Sequence, residues 1–69
     1  MTDSVYKVIE IIGSSPKSWE AAASAAVARA SKTLSDIRIA EVVSKDLKIE
    51  DGKVAAYRVK LRLSFKFKD

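Results

Sequence analysis

The segment YRVKLRLSFKFK, residues 57–68, is the clearest structural signal in the sequence, because its side chains alternate between apolar and polar with almost no interruption. Successive side chains of a β-strand point to opposite faces of the sheet, so the pattern predicts a half-buried strand. One face carries the apolar residues Tyr57, Val59, Leu61, Leu63, Phe65 and Phe67. The other carries Arg58, Lys60, Arg62, Ser64, Lys66 and Lys68.

Two further strands are predicted from the sequence before this segment. An Asp51-Gly52 pair between two strand patterns is a hairpin signal. The hairpin joins the alternating strand to a long strand over residues 37–50. We expect an irregularity in this long strand near residues 44–46. The segment VYKVIEII, residues 5–12, is rich in β-branched residues and apolar on both faces except at Lys7 and Glu10. We therefore expect it in the middle of the sheet.

A helix is predicted over residues 18–34. Pro16 suits a first helical position, which makes Ser15 the expected N-cap. Apolar residues recur at helical spacing and form one stripe. The element order is then β-α-β-β, and we predict an α+β fold in which a three-stranded antiparallel sheet partly wraps one helix, in a single domain over residues 1–69. The stripe consists of Trp19, Ala22, Ala23, Ala26, Val27 and Ala30.

The lengths of these elements predict self-association. A strand of about 14 residues is roughly 48 Å long, whereas a helix of about 16 residues is roughly 24 Å long. One helix cannot cover the hairpin, and we expect Leu63, Phe65 and Phe67 to be among the uncovered residues. A domain this small is marginally stable alone, so another copy of the chain is the simplest partner.

Composition excludes several functions. The chain contains neither cysteine nor histidine, which removes disulfides, the usual zinc ligands and Cys–His or Ser–His catalytic pairs. We therefore expect no enzymatic activity, and only oxygen-ligand metal sites stay open. The N-terminal segment resembles no signal peptide, and no apolar run is long enough to cross a membrane. We expect a cytoplasmic protein without a membrane partner.

The order of elements and several stretches of sequence together resemble the dodecin family. The matching stretches are YKVIEIIGSSPKSWEAAASAAVARASKTL (residues 6–34), AEV (40–42) and DGKVAAYRVKLRLSFKF (51–67). The resemblance implies a hollow homododecamer in which a long curved sheet partly wraps the helix. It also implies a small-molecule ligand, namely a flavin such as riboflavin, FMN or FAD.

The same resemblance places the candidate flavin-binding residues at Ile39, Arg58 and Glu41. Flavin-binding dodecins carry a tryptophan at the position of Ile39, where paired rings sandwich the flavin, and a glutamine at the position of Arg58. Losing two stacking faces would cost on the order of a hundredfold in affinity. These two replacements weaken the expectation of a flavin.

Two alternatives stay open. Dodecin-like chains without the tryptophan include calcium-associated ones, and this chain resembles that branch. Its candidate metal ligands are Asp46, Glu50 and Asp51, although no EF-hand pattern is present. Such a shell could equally serve as a structural assembly. The second alternative, and the third hypothesis after flavin and calcium, is a basic, nucleic-acid-associated protein. Against it, the basic face has no interleaved aromatic residues and the net charge is only +4.

Overall fold

The computed structural model describes residues 3–66, and its four elements follow the predicted β-α-β-β order. They are β1 (Tyr6–Ser15), α1 (Trp19–Ala30), β2 (Ile37–Glu50) and β3 (Lys53–Lys66). The three strands form one antiparallel sheet in the order β1-β3-β2. The predicted α+β fold is confirmed. Phe67 and Lys68 lie outside the described residues.

The central strand is β3, so the prediction that the first strand lies in the middle of the sheet is wrong. The alternating strand hydrogen-bonds to β1 on one side and β2 on the other. The apolar residues on the outer side of β1 are not buried in the protomer, because Val8 is 48% and Ile12 is 57% exposed. Apolar residues on both faces of β1 predicted a strand buried on both sides, but a single protomer buries only its helix-facing side.

The core lies where α1 crosses β1 and β3. Val59, Leu61 and Leu63 are at most 1% exposed, and they pack against Ala22 and Ala26 of the helix. The predicted helical stripe is thus confirmed as the buried face. The remaining stripe residues pack at the margin of this core: Trp19, Ala23, Val27 and Ala30.

The helix approaches the sheet closely because Gly13 has no side chain. A Cβ atom on Gly13 would lie 2.8 Å from the Cβ of Ala26, and closer still to the carbonyl oxygen of Ala22. Small residues on both sides of this contact let the backbone of α1 lie directly on β1. Gly13 pairs with Val59 of β3, so the close approach is centred on the core.

The helix begins three residues later than the Ser15 cap predicts. Ser18 is the N-cap, and its hydroxyl accepts a 3.0 Å hydrogen bond from the backbone N–H of Ala21. Ser15 is still in β1, and its hydroxyl accepts a 3.1 Å hydrogen bond from the backbone N–H of Lys17. Ser15 therefore stabilises the turn that leads into the helix, and Pro16 lies in that turn.

The predicted hairpin is confirmed at Asp51 and Gly52. Both residues have positive φ angles, 51° and 74°, as a two-residue turn of type I′ requires. The register of β2 against β3 shifts at three places, one of them between Val42 and Ser44. This shift lies beside residues 44–46, where the sequence predicts an irregularity.

The uncovered part of the sheet is its hairpin end, which corrects the prediction at Leu63. Because β1 ends opposite Tyr57, α1 starts there and runs back over Val59 toward Leu63, which it buries. The hairpin extends in the other direction, beyond the helix. Its apolar side chains Leu47, Ile49 and Val54 are 41%, 55% and 49% exposed. Phe65 is half-buried.

Candidate functional site

The sheet has an outward face, turned away from α1, on which the basic residues of β3 lie in register with residues of both outer strands. Because Val59, Leu61 and Leu63 point toward the helix, their neighbours on β3 point outward. The pairing arranges the outward residues in cross-strand rows. Three of these rows are Val8–Ser64–Ile39, Glu10–Arg62–Glu41 and Ser14–Arg58–Asp46.

The middle row is an ion-pair network centred on Arg62. Its Nη2 donates to Oε2 of Glu10 at 2.9 Å, and its Nη1 donates to Oε1 of Glu41 at 3.4 Å. Lys60 Nζ lies 3.6 Å from the other oxygen of Glu10. The hydrogen bond from Arg62, together with the charge of Lys60, lowers the pKa of Glu10. Arg62 therefore connects β1, β3 and β2 across the outward face.

Arg58 and Asp46 form a bidentate ion pair in the row Ser14–Arg58–Asp46. Arg58 Nε donates to Oδ1 of Asp46 at 2.7 Å and Nη2 donates to Oδ2 at 2.8 Å. This hydrogen-bonded pair lowers the pKa of Asp46 and raises that of Arg58. Both side chains are about half exposed, so the pair contributes more to geometry than to stability.

The ion pairs show that the basic residues of β3 are not free positive charges. Arg58, Lys60 and Arg62 each lie within ion-pair distance of a carboxylate on a neighbouring strand. Their charges are therefore largely balanced in place. A surface of this kind gives little support to the hypothesis that the protein binds nucleic acid, since such binding needs cations that are available for phosphates.

The three candidate flavin residues do not meet in one protomer. Ile39 is opposite Ser64, whereas Arg58 lies six residues further along β3, roughly 20 Å away. Glu41 lies between them and contacts Arg62. Ile39 is 58% exposed and stands beside Ser64 and Val8 in an apolar row at the surface. A pocket with both Ile39 and Arg58 needs residues from more than one copy.

The three candidate metal ligands are also separate. Asp46 already binds Arg58 with both carboxylate oxygens. Glu50, at the end of β2, has one oxygen 3.5 Å from Lys48 Nζ, and Asp51 is exposed in the turn. Within residues 3–66 no three or more His, Cys, Asp and Glu side chains come together as a metal site. Glu50 and Asp51 are adjacent oxygen donors that one protomer could contribute to a shared site.

Trp19 makes a contact that the sequence does not predict. Its indole Nε1 donates a 3.2 Å hydrogen bond to the carbonyl oxygen of Asp46. Tyr57 packs edge-on against the ring at a centroid distance of 5.2 Å, and Lys45 Nζ lies 5.5 Å from the ring centre. Helical spacing identified Trp19 as a packing residue, but no local pattern shows a partner 27 residues away.

An apolar groove of about 440 Å³ runs between α1 and β2. It exists because α1 packs mainly on β1 and β3 and covers little of the helix-facing side of β2. Sequence analysis missed it, since it depends on which strands the helix covers. The groove is lined by Ala23, Val27 and Ala28 from the helix and by Ala40, Val42 and Leu61 from the sheet, with Ser24 at the helix side.

Across residues 3–66, no helix has the length and apolar character needed to cross a membrane.

Comparison with known proteins identifies the family. The family model described as Dodecin matches residues 5–68. Calcium dodecin of Mycobacterium tuberculosis is 51% identical over 65 residues, which cover 94% of this chain and 92% of that protein. A solved structure of calcium dodecin from the same organism, described as having a novel calcium-binding site, has a TM-score of 0.84 at 51% identity and covers 94% of this chain and 93% of that one.

A further solved structure, dodecin from Streptomyces coelicolor, has a TM-score of 0.93 at 39% identity and covers 100% of this chain and 99% of its own. Both the sequence match and the fold match extend over nearly the whole chain. This chain belongs to the dodecin family.

Proposed function

We propose that this dodecin works as a non-enzymatic, hollow homo-oligomer, a dodecamer, that binds and holds a small ligand. The observation that carries the proposal is its exposed surface. A compact monomer of 7.6 kDa is expected to expose about 4300 Å², whereas this protomer exposes 5303 Å². The excess of about 1000 Å² is of the size that a standard interface buries on one partner, about 800 Å².

The exposed apolar residues support the same proposal because they lie on both faces of the sheet. Tyr6, Val8, Ile12 and Ile39 lie on the outward face, and Val42 and Leu47 lie on the helix-facing side. Exposed apolar patches of this extent are uncommon on monomers and mark sites of association. A closed assembly buries both faces at once.

Light scattering on the purified protein tests the assembly. We expect a particle of about twelve times the chain mass that persists on dilution, with a melting temperature that depends on protomer concentration. A monomer that stays folded at low concentration contradicts the proposal.

Calcium is the ligand that we propose first. The relative that is 51% identical over nearly the whole chain is named calcium dodecin. The hairpin of this chain presents Glu50 and Asp51 next to each other, and carboxylate oxygens are the ligands that calcium prefers. One protomer supplies fewer than the six to eight oxygens that calcium takes, so other copies or water would complete the site.

Calorimetric titration of the sized oligomer with calcium tests this ligand. We expect the double substitution Glu50→Gln with Asp51→Asn to weaken calcium binding at least tenfold without changing particle size. Glu20→Gln on the helix serves as the matched control and should bind calcium as the unmodified protein does. Unchanged calcium binding in the hairpin variant contradicts the assignment of these ligands, and no binding to the unmodified oligomer contradicts calcium itself.

Flavin is the second candidate, and the exposed apolar row around Ile39 is the observation that favours it. Val8 and Ile39 flank Ser64 on the outward face and offer a surface on which a planar ring could lie. Without an aromatic residue this surface lacks stacking, which is worth about 0.5–1.5 kcal/mol for each pair. Titrating riboflavin and FMN fluorescence, with Ile39→Trp in parallel, tests it. Tight quenching by the unmodified protein makes flavin the ligand, whereas quenching by the variant alone rejects flavin for this chain.

A further inference from the structure

We infer that Asp46 is a positioning residue for the proposed calcium ligands Glu50 and Asp51, and that Trp19 and Arg58 hold it in place. The inference rests on calcium as the proposed ligand and adds the residues that orient its site. Asp46, Trp19 and Arg58 are called the clamp below. They lie at the base of the hairpin, because Asp46 pairs with Arg58 and the chain beyond this pair leads to the turn.

The hairpin becomes two-stranded just beyond the clamp. β1 ends at Ser15, which pairs with Tyr57 of β3. From there to the turn, residues 48–56 pair only between β2 and β3, and their register shifts between Lys48 and Ile49. A two-stranded hairpin is marginally stable in water. The orientation of this two-stranded end therefore depends on how firmly its base is held.

Asp46 is held at that base from both faces of the sheet. On the outward face Arg58 donates from Nε and Nη2 to its two carboxylate oxygens, at 2.7 and 2.8 Å. From the helix, Trp19 Nε1 donates to its carbonyl oxygen at 3.2 Å. The indole ring is itself fixed between Tyr57, at 5.2 Å, and the ammonium group of Lys45, at 5.5 Å. A bidentate arginine contact adds geometric specificity even where exposure makes its contribution to stability small.

A small movement at the clamp becomes a large one at the calcium ligands. Glu50 lies four residues beyond Asp46 on β2, roughly 13 Å along the strand. A rotation of about 10° at residue 46 would therefore displace Glu50 by about 2 Å. Calcium binds its oxygen ligands at about 2.3–2.6 Å and needs several of them at once. Loss of the clamp should therefore affect calcium affinity more than it affects stability.

Arg58→Gln and Arg62→Gln provide a matched test by calorimetric titration of the sized oligomer with calcium. Each variant removes one positive charge from the outward face and breaks an arginine–carboxylate pair, but only Arg58→Gln opens the clamp. We expect Arg58→Gln to weaken calcium binding at least fivefold and Arg62→Gln to change it less than twofold. Loss of a positive charge by itself favours a bound cation, so the expected sign is opposite to that of the charge effect.

Tighter calcium binding by Arg58→Gln overturns the inference, because the freed carboxylate of Asp46 would then be acting as a further calcium ligand. If the unmodified oligomer binds calcium and Arg58→Gln binds it equally well, calcium stands as the ligand and only the clamp is overturned. If the unmodified oligomer binds no calcium, the proposed ligand fails and the clamp fails with it.

Trp19 reports on the clamp without calcium, since it is the one tryptophan of the chain. In the calcium-free oligomer we expect Arg58→Gln to increase acrylamide quenching of Trp19 fluorescence and to speed up amide hydrogen exchange in residues 48–56. Arg62→Gln should do neither. Because coupling between two sites is reciprocal, calcium should lower the quenching of Trp19 in the unmodified protein. Equal quenching in the two variants, or no effect of calcium on Trp19, overturns the inference.

Trp19→Phe opens the clamp from the helix side and leaves every charge in place. We expect it to weaken calcium binding at least twofold by calorimetry. If Arg58→Gln lowers the particle mass, Trp19→Phe decides the question alone. Unchanged calcium binding in Trp19→Phe overturns a clamp that acts from both faces of the sheet.

Discussion

The indole Nε1 of Trp19, in the first turn of the helix, donates a 3.2 Å hydrogen bond to the carbonyl oxygen of Asp46 on β2. The carboxylate of the same Asp46 is held from the opposite face of the sheet by Arg58. Residue 46 is therefore fixed on both faces. Trp19 also connects the helix to β2, the edge strand that is hydrogen-bonded to β3 on its other side.

Trp19→Phe is expected to lower the free energy of unfolding by about 1 kcal/mol or more, because the indole donor is lost and the smaller phenyl ring keeps only part of the packing. For a domain of this size that corresponds to a fall in melting temperature of roughly 4–8 °C. Thermal unfolding followed by circular dichroism at one fixed protomer concentration measures it. An unchanged melting temperature would show that the hydrogen bond to Asp46 contributes nothing.

Gly13→Ala is expected to destabilise the fold by about 1–3 kcal/mol through overpacking. The added methyl group would meet the backbone of Ala22 and the side chain of Ala26, neither of which can move without displacing the helix. Urea denaturation measures the loss.

Gly52 provides the contrast for this prediction. No atom lies within 4 Å of a Cβ on Gly52, but its φ angle of 74° is unfavourable for alanine. Gly52→Ala should therefore cost about 1 kcal/mol through backbone conformation alone, and Gly52→Asn should cost less. If Gly13→Ala is tolerated as well as Gly52→Asn, the close helix–strand contact is not a constraint.

Leu63→Ala is expected to cost about 2–5 kcal/mol, because it opens a cavity under the helix in the middle of the core. Leu47→Ala removes a side chain that is 41% exposed in the protomer, so the loss of stability that it causes should depend on protomer concentration. Chemical denaturation of both variants at two concentrations separates the effects. Equal and concentration-independent losses would place Leu47 inside the protomer core.

Acid is expected to destabilise the protein through Glu10 and Asp46. The pKa of each carboxyl group is lowered in the folded state by an arginine, so each group stabilises the fold at neutral pH. This contribution is present above the ordinary carboxyl pKa of about 4 and is lost as the pH falls from there through the lowered value.

Melting temperatures measured from pH 7 to pH 3 should therefore stay level and then fall below about pH 4.5. Glu10→Gln should make this fall shallower, since the glutamine cannot form the ion pair with Arg62. Glu20→Gln, which lies on the helix outside the network, is the control. A pH profile for Glu10→Gln identical to that of the unmodified protein would contradict a role for the network in stability.

The helix, the strands and most of their buried faces could be predicted from the order of the amino acids. Alternation over residues 57–68 predicted the strand whose residues Val59, Leu61 and Leu63 form the core, and the Asp51-Gly52 pair predicted the turn. The helical stripe was also readable, because periods of 3.6 and 2 are set by local backbone geometry. Local sequence could not place the N-cap, since Ser15 and Ser18 are both suitable hydroxyl residues before the helix.

Three features are visible only in the folded chain: which strand is central, which end of the sheet stays uncovered, and which charged residues pair. The register places Arg62 between Glu10 and Glu41, separates Ile39 from Arg58, and brings Trp19 to Asp46. These contacts join residues 21 to 52 positions apart, and the position of the helix depends on the direction in which it returns over the sheet. No local pattern encodes them, because they arise from burying one shared core with the fewest unpaired backbone groups.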